Sequence, residues 1–244
     1  MAWLLLIPVL ALLILEVFFI YKATANRKRA TLMVSLRIAK IAELGDGPAK
    51  VWGRILAFGD SVPAPLSARP CVYYRFQVEE KKTRHAPPHG GGGSYWKTVI
   101  NDVQSIPCGV DDGTGVAGLD LGGAELVLKP GAQMRSGFFK DAPAELERLL
   151  NERYGRSSQG LIFNKGMRYT ETLLEEGEEV LVVGRVKTTT GGNWQFGKGE
   201  VPFIVSNLRE EALLSSYKRF VLFWLVVAVF VLVVPCLTLA WLLF

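Results

Sequence analysis

The sequence predicts a membrane-anchored α+β protein, in which a mostly β soluble domain with one clear soluble helix is flanked by two transmembrane helices. Residues 220–244 carry no charged side chain, and residues 1–21 carry one, Glu16. A helix needs about 20 apolar residues to cross the hydrocarbon core of a bilayer, so both runs are long enough. The segments between them are rich in aromatic and β-branched residues, which favour strands. We therefore assign residues 1–22 and 220–244 to transmembrane helices and residues 46–215 to the β-rich domain.

The first apolar run is interpreted as an uncleaved anchor. Residues 23–25 (ATA) resemble a signal-peptide cleavage site, but no basic region precedes the run and residues 27–29 (RKR) follow it at once. For that reason we favour an anchor over a cleaved signal peptide. Residues 23–45 are expected to continue the anchor as a basic juxtamembrane helix, which residues 45–48 (GDGP) end.

The basic residues predict the orientation of the chain. Every Lys and Arg lies between Lys22 and Arg219, with a cluster beside the inner end of each apolar run. Basic flanks stay on the cytoplasmic side of a membrane. We therefore expect a two-pass protein of a prokaryotic inner membrane, with the β domain in the cytoplasm and both termini outside. The net charge of +5 fits anionic lipid headgroups, and no RNA-binding motif accompanies it. We therefore expect the chain to bind a lipid bilayer and not a nucleic acid.

Local patterns predict the elements of the soluble domain. Residues 81–94 (KKTRHAPPHGGGGS) are expected to form a flexible loop, and residues 111–115 (DDGTG) a tight hairpin turn. The one clear soluble helix is expected from Pro143 to Tyr154, because leucines recur there at helical spacing and Gly155 follows. Strands are expected at residues 51–56, 71–78, 96–103, 124–128, 180–186 and 201–205.

A weak internal repeat relates residues 51–55 (VWGRI) to residues 182–186 (VVGRV), and a proline followed by a β run comes after each. Two related OB-like or half-barrel β units would explain the match, with Gly53 and Gly184 in equivalent places. Chance similarity between short strands would explain it as well.

Several segments together resemble the GIDE domain, also called the BAM (beside-a-membrane) domain. They are residues 70–75 (PCVYYR), 106–115 (IPCGVDDGTG), 167–171 (MRYTE) with Leu174 and Gly177, 183–186 (VGRV), and 202–206 (PFIVS) before a basic stretch and an apolar run. The family includes the RING ubiquitin ligases of the mitochondrial outer membrane and prokaryotic relatives. The resemblance implies an E3 ubiquitin ligase-like, membrane-associated chain. The ligases carry a RING finger after their last span, and here the sequence ends at Phe244 within the apolar run, so we expect no RING finger.

No catalytic, cofactor-binding or metal-ligating residue is assigned. His85 and His89 have a zinc-like spacing, but two prolines between them exclude a helix, and a solvated loop explains them better. Cys71 is expected to be a small buried hydrophobe. The acidic turn at residues 111–115 lacks the spacing of a calcium loop.

Glu16 is the single charge within an apolar run. Because its position is near the end of the run, we expect the carboxylate to reach the lipid headgroups. A polar contact with another helix, such as with Thr238, is the alternative.

These features lead to three hypotheses of function. The first is a non-catalytic, membrane-tethered interaction or scaffold domain with an unidentified protein partner, which could form a homo-oligomer through its membrane helices. The second is a component of a ubiquitin-type ligation system without RING activity of its own. The third is a hydrolase that uses Cys71, which would need a histidine beside it.

Overall fold

A closed five-stranded barrel forms the centre of the protein. The computed structural model describes residues 2–83, 93–136, 143–158, 166–199 and 201–243, with side chains described from residue 14 to 231 and at 233. The strands are β1 (Gly47–Ala57), β2 (Val62–Pro63), β3 (Pro70–Cys71), β4 (Tyr73–Thr83), β5 (Ser94–Ser105), β6 (Cys108–Asp111), β7 (Val116–Leu119), β8 (Glu125–Val127), β9 (Pro130–Ser136), β10 (Met167–Leu174), β11 (Glu179–Thr188), β12 (Trp194–Gly197) and β13 (Ile204–Ser206). The helices are α1 (Ala2–Ser35), α2 (Ala144–Tyr154) and α3 (Glu210–Leu243), and two 3-10 turns cover Ile41–Glu43 and Leu121–Gly123.

The barrel strands follow the order β1-β6-β7-β12-β11, and β1 closes the ring by pairing with β11. Within this ring β7 and β12 run parallel, whereas the other four pairs are antiparallel. This arrangement is that of an OB-type barrel, a five-stranded Greek-key fold. Valine-rich β11 supplies much of the interior, because Val180, Val182 and Val186 are fully buried there. The mostly β character predicted from sequence is thus confirmed.

The two segments of the internal repeat belong to this single barrel. They lie in β1 and β11, which pair with each other so that Val51 is opposite Val182 and Gly53 is opposite Val180. Gly184 pairs with Ala49, so each glycine is opposite the residue four positions before the other. Arg54 and Arg185, the residues after the two glycines, begin the pairing with β6 and β12 respectively, so the two glycines occupy equivalent places. Because one closed barrel contains both segments, the prediction of two separate OB-like units is wrong, whereas the predicted equivalence of Gly53 and Gly184 is confirmed.

A second sheet, in the order β5-β4-β10-β9, is inserted between barrel strands and carries α2 on one face. Leu146 and Leu150 of α2 are buried against Tyr74, Phe76 and Tyr169 of the sheet. The helix ends as predicted: Gly155 adopts φ +60°, and the backbone N–H of Arg156 donates to the carbonyl of Leu150, 2.9 Å away. The predicted helix at Pro143 to Tyr154 is confirmed, with Pro143 just before its first residue. Asp141, near its start, lies outside the described residues.

Other sequence predictions need adjustment. Residues 81–83 belong to β4 and Ser94 begins β5, so the ends of the predicted loop at residues 81–94 are strand. Residues 84–92 lie outside the described part of the chain. Of the strand predicted at residues 201–205, only the last two residues are extended, in β13 (Ile204–Ser206). The hairpin turn predicted at residues 111–115 is confirmed, since it joins β6 to β7 with Gly113 at φ +82°.

The basic helix predicted for residues 23–45 is shorter than expected. The helix α1 ends at Ser35, and the chain then extends because the backbone N–H of Ala39 donates to the carbonyl of Lys50 in β1, 2.8 Å away. Ile41 is buried in the barrel end, and its N–H donates to Asp112 Oδ2 at 2.8 Å. Backbone pairing with the barrel has therefore replaced the last turns of the predicted helix.

The helices α1 and α3 pack antiparallel on one side of the barrel. The ring of Phe19 stacks on that of Trp224, with centroids 5.4 Å apart, while Met33 near the other end of α1 shares a buried cluster with Leu213 and Tyr217. The outer side chains of β11 and β13 complete that cluster: Leu181, Val183 and Ile204. The barrel and the helix pair thus share a common apolar core.

Lys50 of β1 links the barrel to both helices. Its side chain is only 4% exposed, and Nζ donates to the carbonyl of Met33 at 2.6 Å and to Glu210 Oε1 at 2.8 Å. Met33 lies in the last turn of α1 and Glu210 in the first turn of α3. The ammonium therefore sits at the negative end of one helix dipole and pairs with an acid at the positive end of the other, both favourable positions.

The prediction that Glu16 reaches lipid headgroups is wrong. Glu16 is 9% exposed and lies two helical turns before Ala23, which is 3% exposed, on the side of α1 that meets α3. The Oε2 atom of Glu16 makes no hydrogen bond within the described residues. A contact with Thr238 involves a side chain outside that description.

Candidate functional site

A groove crosses the outside of the barrel where two glycines face each other. Gly109 of β6 and Gly118 of β7 are register partners in an antiparallel pair, so two successive positions of the outer surface lack side chains. The neighbours of these glycines, Cys108, Val110, Ala117 and Leu119, point inward and are part of the barrel core. The alternation of a strand therefore forces both glycines outward, and the floor of the groove is bare backbone.

Phe58 forms one wall of the groove. It follows β1, its backbone N–H donates to the carbonyl of Pro107 at 3.0 Å, and its ring rests on Gly109. A Cβ at Gly109 would lie 2.5 Å from Phe58 Cζ, so only glycine permits this contact. Despite it, 51% of Phe58 remains exposed. A tight turn forms the opposite wall, closed by a hydrogen bond from Thr189 N–H to the carbonyl of Asn193 at 2.8 Å.

The groove is an uncharged cavity of about 550 Å³. Its lining combines apolar side chains with neutral amide and hydroxyl groups at the rim: Leu56, Phe58, Pro107, Cys108, Val116, Gly118, Leu119, Thr189, Asn193, Trp194 and Gln195. A pocket of this size and composition suits a ligand held by apolar contact and a few neutral hydrogen bonds. None of the residues that line it belongs to α1 or α3, so the helix pair leaves it uncovered.

The groove offers little for catalysis. Its one thiol belongs to Cys108, and burial raises the pKa of that thiol to about 11. A thiol with such a pKa is almost entirely protonated near neutral pH, and the thiolate is the reactive form. The arrangement is suited to binding.

The structure places the other residues considered from sequence in structural roles. Cys71 is fully buried as predicted, Sγ lies 3.2 Å from the carbonyl of Val62, and burial together with the charge of Glu171 raises the pKa of the thiol to about 11. His85 and His89 lie outside the described residues. In the described ranges no three His, Cys, Asp or Glu side chains are grouped closely enough to hold a metal ion.

The acidic turn at the end of β6 binds the segment that precedes β1, through a hydrogen bond from the Ile41 N–H to Asp112. Burial of Asp112 favours its neutral form, but hydrogen bonds from Thr114 and from the N–H groups of Ile41, Thr114 and Gly115 outweigh it, so the pKa of Asp112 is lowered. These donors occupy the carboxylate with protein partners, which agrees with the predicted turn.

A polar cluster between α2 and its sheet was missed in the sequence. Arg153 Nη2 lies 3.0 Å from Asp102 Oδ2 and donates to the hydroxyl of Tyr74, while the Tyr154 hydroxyl donates to Asp102 Oδ2 at 2.6 Å. Burial and this bond to Asp102 raise the pKa of Tyr154. Arg153 and Tyr154 come from the last turn of α2, and no local pattern relates them to Asp102 of β5. The cluster fixes α2 on the sheet.

One helical segment has the length and composition of a membrane span. It is Glu210–Val231 of α3, 22 residues with a mean hydropathy of 1.7, and only 11% of it is buried in the protein. Among the described residues it is the one helix that meets both criteria. Its exposed apolar side chains include Leu222, Phe223 and Phe230. An apolar helix this exposed suggests association with a membrane.

A comparison with family models decides the relationship of the chain. The model described as "GIDE: E3 Ubiquitin ligase" matches residues 77–240, more than half of the 244 residues. The chain belongs to the GIDE family. The resemblance drawn from motifs in the sequence is thereby confirmed.

The match to the GIDE model begins inside β4 and continues into α3, so it takes in the inserted sheet, most of the barrel strands and the apolar helix. It omits β1, whose pairing with β11 closes the barrel. Searches of curated proteins and of solved structures gave no significant match.

Proposed function

We propose that this GIDE-family chain is a non-catalytic interaction module, held at a membrane by α1 and α3, whose barrel groove binds an uncharged apolar segment of a protein partner. The main support for this proposal is the groove of about 550 Å³ over the glycine pair. Beside it, the side chains of Phe58 and Val116 are 51% and 40% exposed. Aromatic anchors around an uncharged pocket are typical of the energetically dominant part of a protein interface.

The charge of the groove separates this proposal from nucleic-acid binding. OB-type barrels use the corresponding strands and loops to bind oligonucleotides. Affinity for a phosphate backbone requires lysine or arginine, however, and none lines this groove. A protein segment without charges is the better complement.

Filling the groove tests the proposal. A Cβ at Gly118 would meet nothing nearer than Gln195 Cγ at 3.7 Å, so Gly118→Val is expected to fold and to occupy the floor of the groove. Gly197→Val is the matched control, because Gly197 is also in a barrel strand, has open space around its Cβ position and does not line the groove.

The measurement is photo-crosslinking in native membranes, with a benzophenone amino acid in place of Val116. We expect a crosslinked protein partner. Gly118→Val should reduce the yield of this crosslink about tenfold or more, which corresponds to a loss of roughly 1.4 kcal/mol of binding free energy, and Gly197→Val should leave the yield unchanged. Crosslinking that both variants leave unchanged, or that both reduce equally, would contradict the groove as the binding site.

A two-pass topology with the barrel in the cytoplasm is part of this proposal. The basic flanks of both apolar runs support it. Ser61 is exposed on the barrel side of the chain and is suited to a near-isosteric Ser61→Cys probe, made in a Cys236→Ser background. We expect the new thiol to resist a membrane-impermeant maleimide in intact cells and to react after permeabilisation. The background without Ser61→Cys is the control, since Cys71 and Cys108 are buried. Labelling in intact cells would show that the barrel lies outside the cytoplasm and would contradict the proposed orientation.

A part in ubiquitin-type ligation is the second candidate, favoured by the description of the matching family model. A RING finger needs eight zinc ligands, four for each ion, whereas this sequence has three Cys and two His. We therefore propose that any such part is played as a scaffold. Zinc-dependent ubiquitin conjugation by the purified chain, with activating and conjugating enzymes supplied, would favour a catalytic role instead.

A further inference from the structure

A second cavity lies between the two long helices, on the barrel side of the Phe19–Trp224 contact. It has a volume of about 670 Å³ and is lined by residues 23–35 of α1 and 218–225 of α3. Small side chains on α1, Ala23 and Ala30, leave the space open where the helices approach the barrel. This volume is within the range of small-molecule sites.

The two ends of this cavity differ in chemistry. Val221, Leu222 and Leu225 line it from the apolar run of α3, whereas Arg27 and Lys218 line it where the basic flanks begin. No carboxylate contributes to the lining. Thr31 adds a hydroxyl at the basic end. The cavity therefore joins a cationic, hydrogen-bonding end to an apolar end.

The two cations are free of protein partners within the described part of the chain. Two other basic residues nearby are paired there: Arg29 Nη2 is 2.9 Å from Glu125 Oε2, and Lys50 is held by Glu210. Neither Arg27 nor Lys218 makes an ion pair or hydrogen bond with any described residue. Two cations lining one cavity repel each other unless an anion lies between them.

We propose that this cavity binds one anionic phospholipid, with the phosphate between Arg27 and Lys218 and an acyl chain along Val221 and Leu225. The inference rests on the membrane attachment in the proposed function and goes beyond it, because it assigns a lipid class and a discrete site. General attraction of basic flanks to anionic lipid would need no cavity. A soluble phosphate would leave the apolar end of the cavity unused.

The test uses the full chain purified in mild detergent and native mass spectrometry. Phosphatidylglycerol and phosphatidylcholine with identical acyl chains are added separately, and inorganic phosphate is added as a competitor. We expect one phosphatidylglycerol to be retained, on the order of tenfold more strongly than phosphatidylcholine. Millimolar inorganic phosphate should not displace it.

Paired double variants separate the site from net charge. Arg27→Ala with Lys218→Ala should reduce retention of phosphatidylglycerol about tenfold. Arg37→Ala with Arg219→Ala removes the same charge from exposed positions outside the cavity and should leave retention unchanged. Equal retention of the two lipids, equal loss in both double variants, or displacement by inorganic phosphate would each overturn the proposal.

The outcome is separable from that of the proposed function. Resistance of the chain to carbonate extraction reports membrane attachment in every variant, and crosslinking at Val116 reports the barrel groove. A chain that remains in the membrane and keeps its crosslinked partner, but shows no lipid preference, would refute only the lipid site.

Discussion

Glu171→Ala is expected to lower the free energy of unfolding by about 3 kcal/mol. Glu171 is fully buried in β10, and its carboxylate accepts hydrogen bonds from the backbone N–H groups of Leu66 and Ser67, at 2.6 and 3.3 Å, and from the Ser67 hydroxyl at 2.5 Å. These bonds hold the loop between β2 and β3. Alanine would leave a cavity and remove the acceptor of all three donors.

The same loop supplies a matched control for this prediction. Glu175 pairs with Arg69 beside it, but their side chains are 28% and 49% exposed. Exposed ion pairs contribute little, so Glu175→Ala should cost less than about 1 kcal/mol. Thermal unfolding of the detergent-solubilised chain is the measurement, with a shift of about 6–12 °C expected for Glu171→Ala. Similar shifts for the two variants would show that the buried carboxylate has no special role.

Lys50→Met is expected to have the next largest effect, a loss of about 2–3 kcal/mol. The substitution keeps the length of the side chain and removes the ammonium that joins Met33 of α1 to Glu210 of α3. The partly exposed Glu210 can regain some hydration, which limits the loss. We expect the chain between α1 and the barrel to open more often, because its anchoring bond to α1 is gone.

Trypsin cleavage after Arg37 measures this opening, since Arg37 is exposed just beyond the end of α1. Cleavage should accelerate at least tenfold, because the rate follows the population of the open form. Arg54→Met on the same strand is the control: Arg54 is 71% exposed and lies 3.7 Å from Glu179, so its loss should change neither stability nor cleavage appreciably. An unchanged cleavage rate in Lys50→Met would show that the apolar cluster alone holds the helices.

Local patterns in the sequence were sufficient for the elements that local physics determines. The α2 helix was found by its leucine spacing and by Gly155, which supplies the left-handed terminal residue. The same reasoning failed for residues 36–45, because the backbone of Ile38 and Ala39 pairs with Lys50 of β1, a contact that helical spacing does not encode. Tertiary hydrogen bonding there outweighs intrinsic helix preference.

The candidate groove could not be predicted from the sequence, because it also depends on a contact between separate strands. Gly109 and Gly118 are nine residues apart on either side of a hairpin, and only the register of that hairpin places them opposite each other. The burial of Glu171 did leave a signal. Met167, Tyr169, Glu171 and Leu173 alternate along β10, so period-two spacing puts the carboxylate on the buried face.

The closure of the barrel by β1 and β11 has a consequence for synthesis on the ribosome. The paired residues Val51 and Val182 come from opposite ends of the soluble part, so β1 has an unpaired edge on that side until nearly all of this part has been translated. The inserted sheet between them can pair earlier, since β4 and β5 are consecutive. The apolar helix α3 begins only a few residues after β13. If α3 enters a membrane as proposed, that step and the last step of folding fall at nearly the same moment. A chain truncated before β11 would expose a long strand edge prone to aggregation.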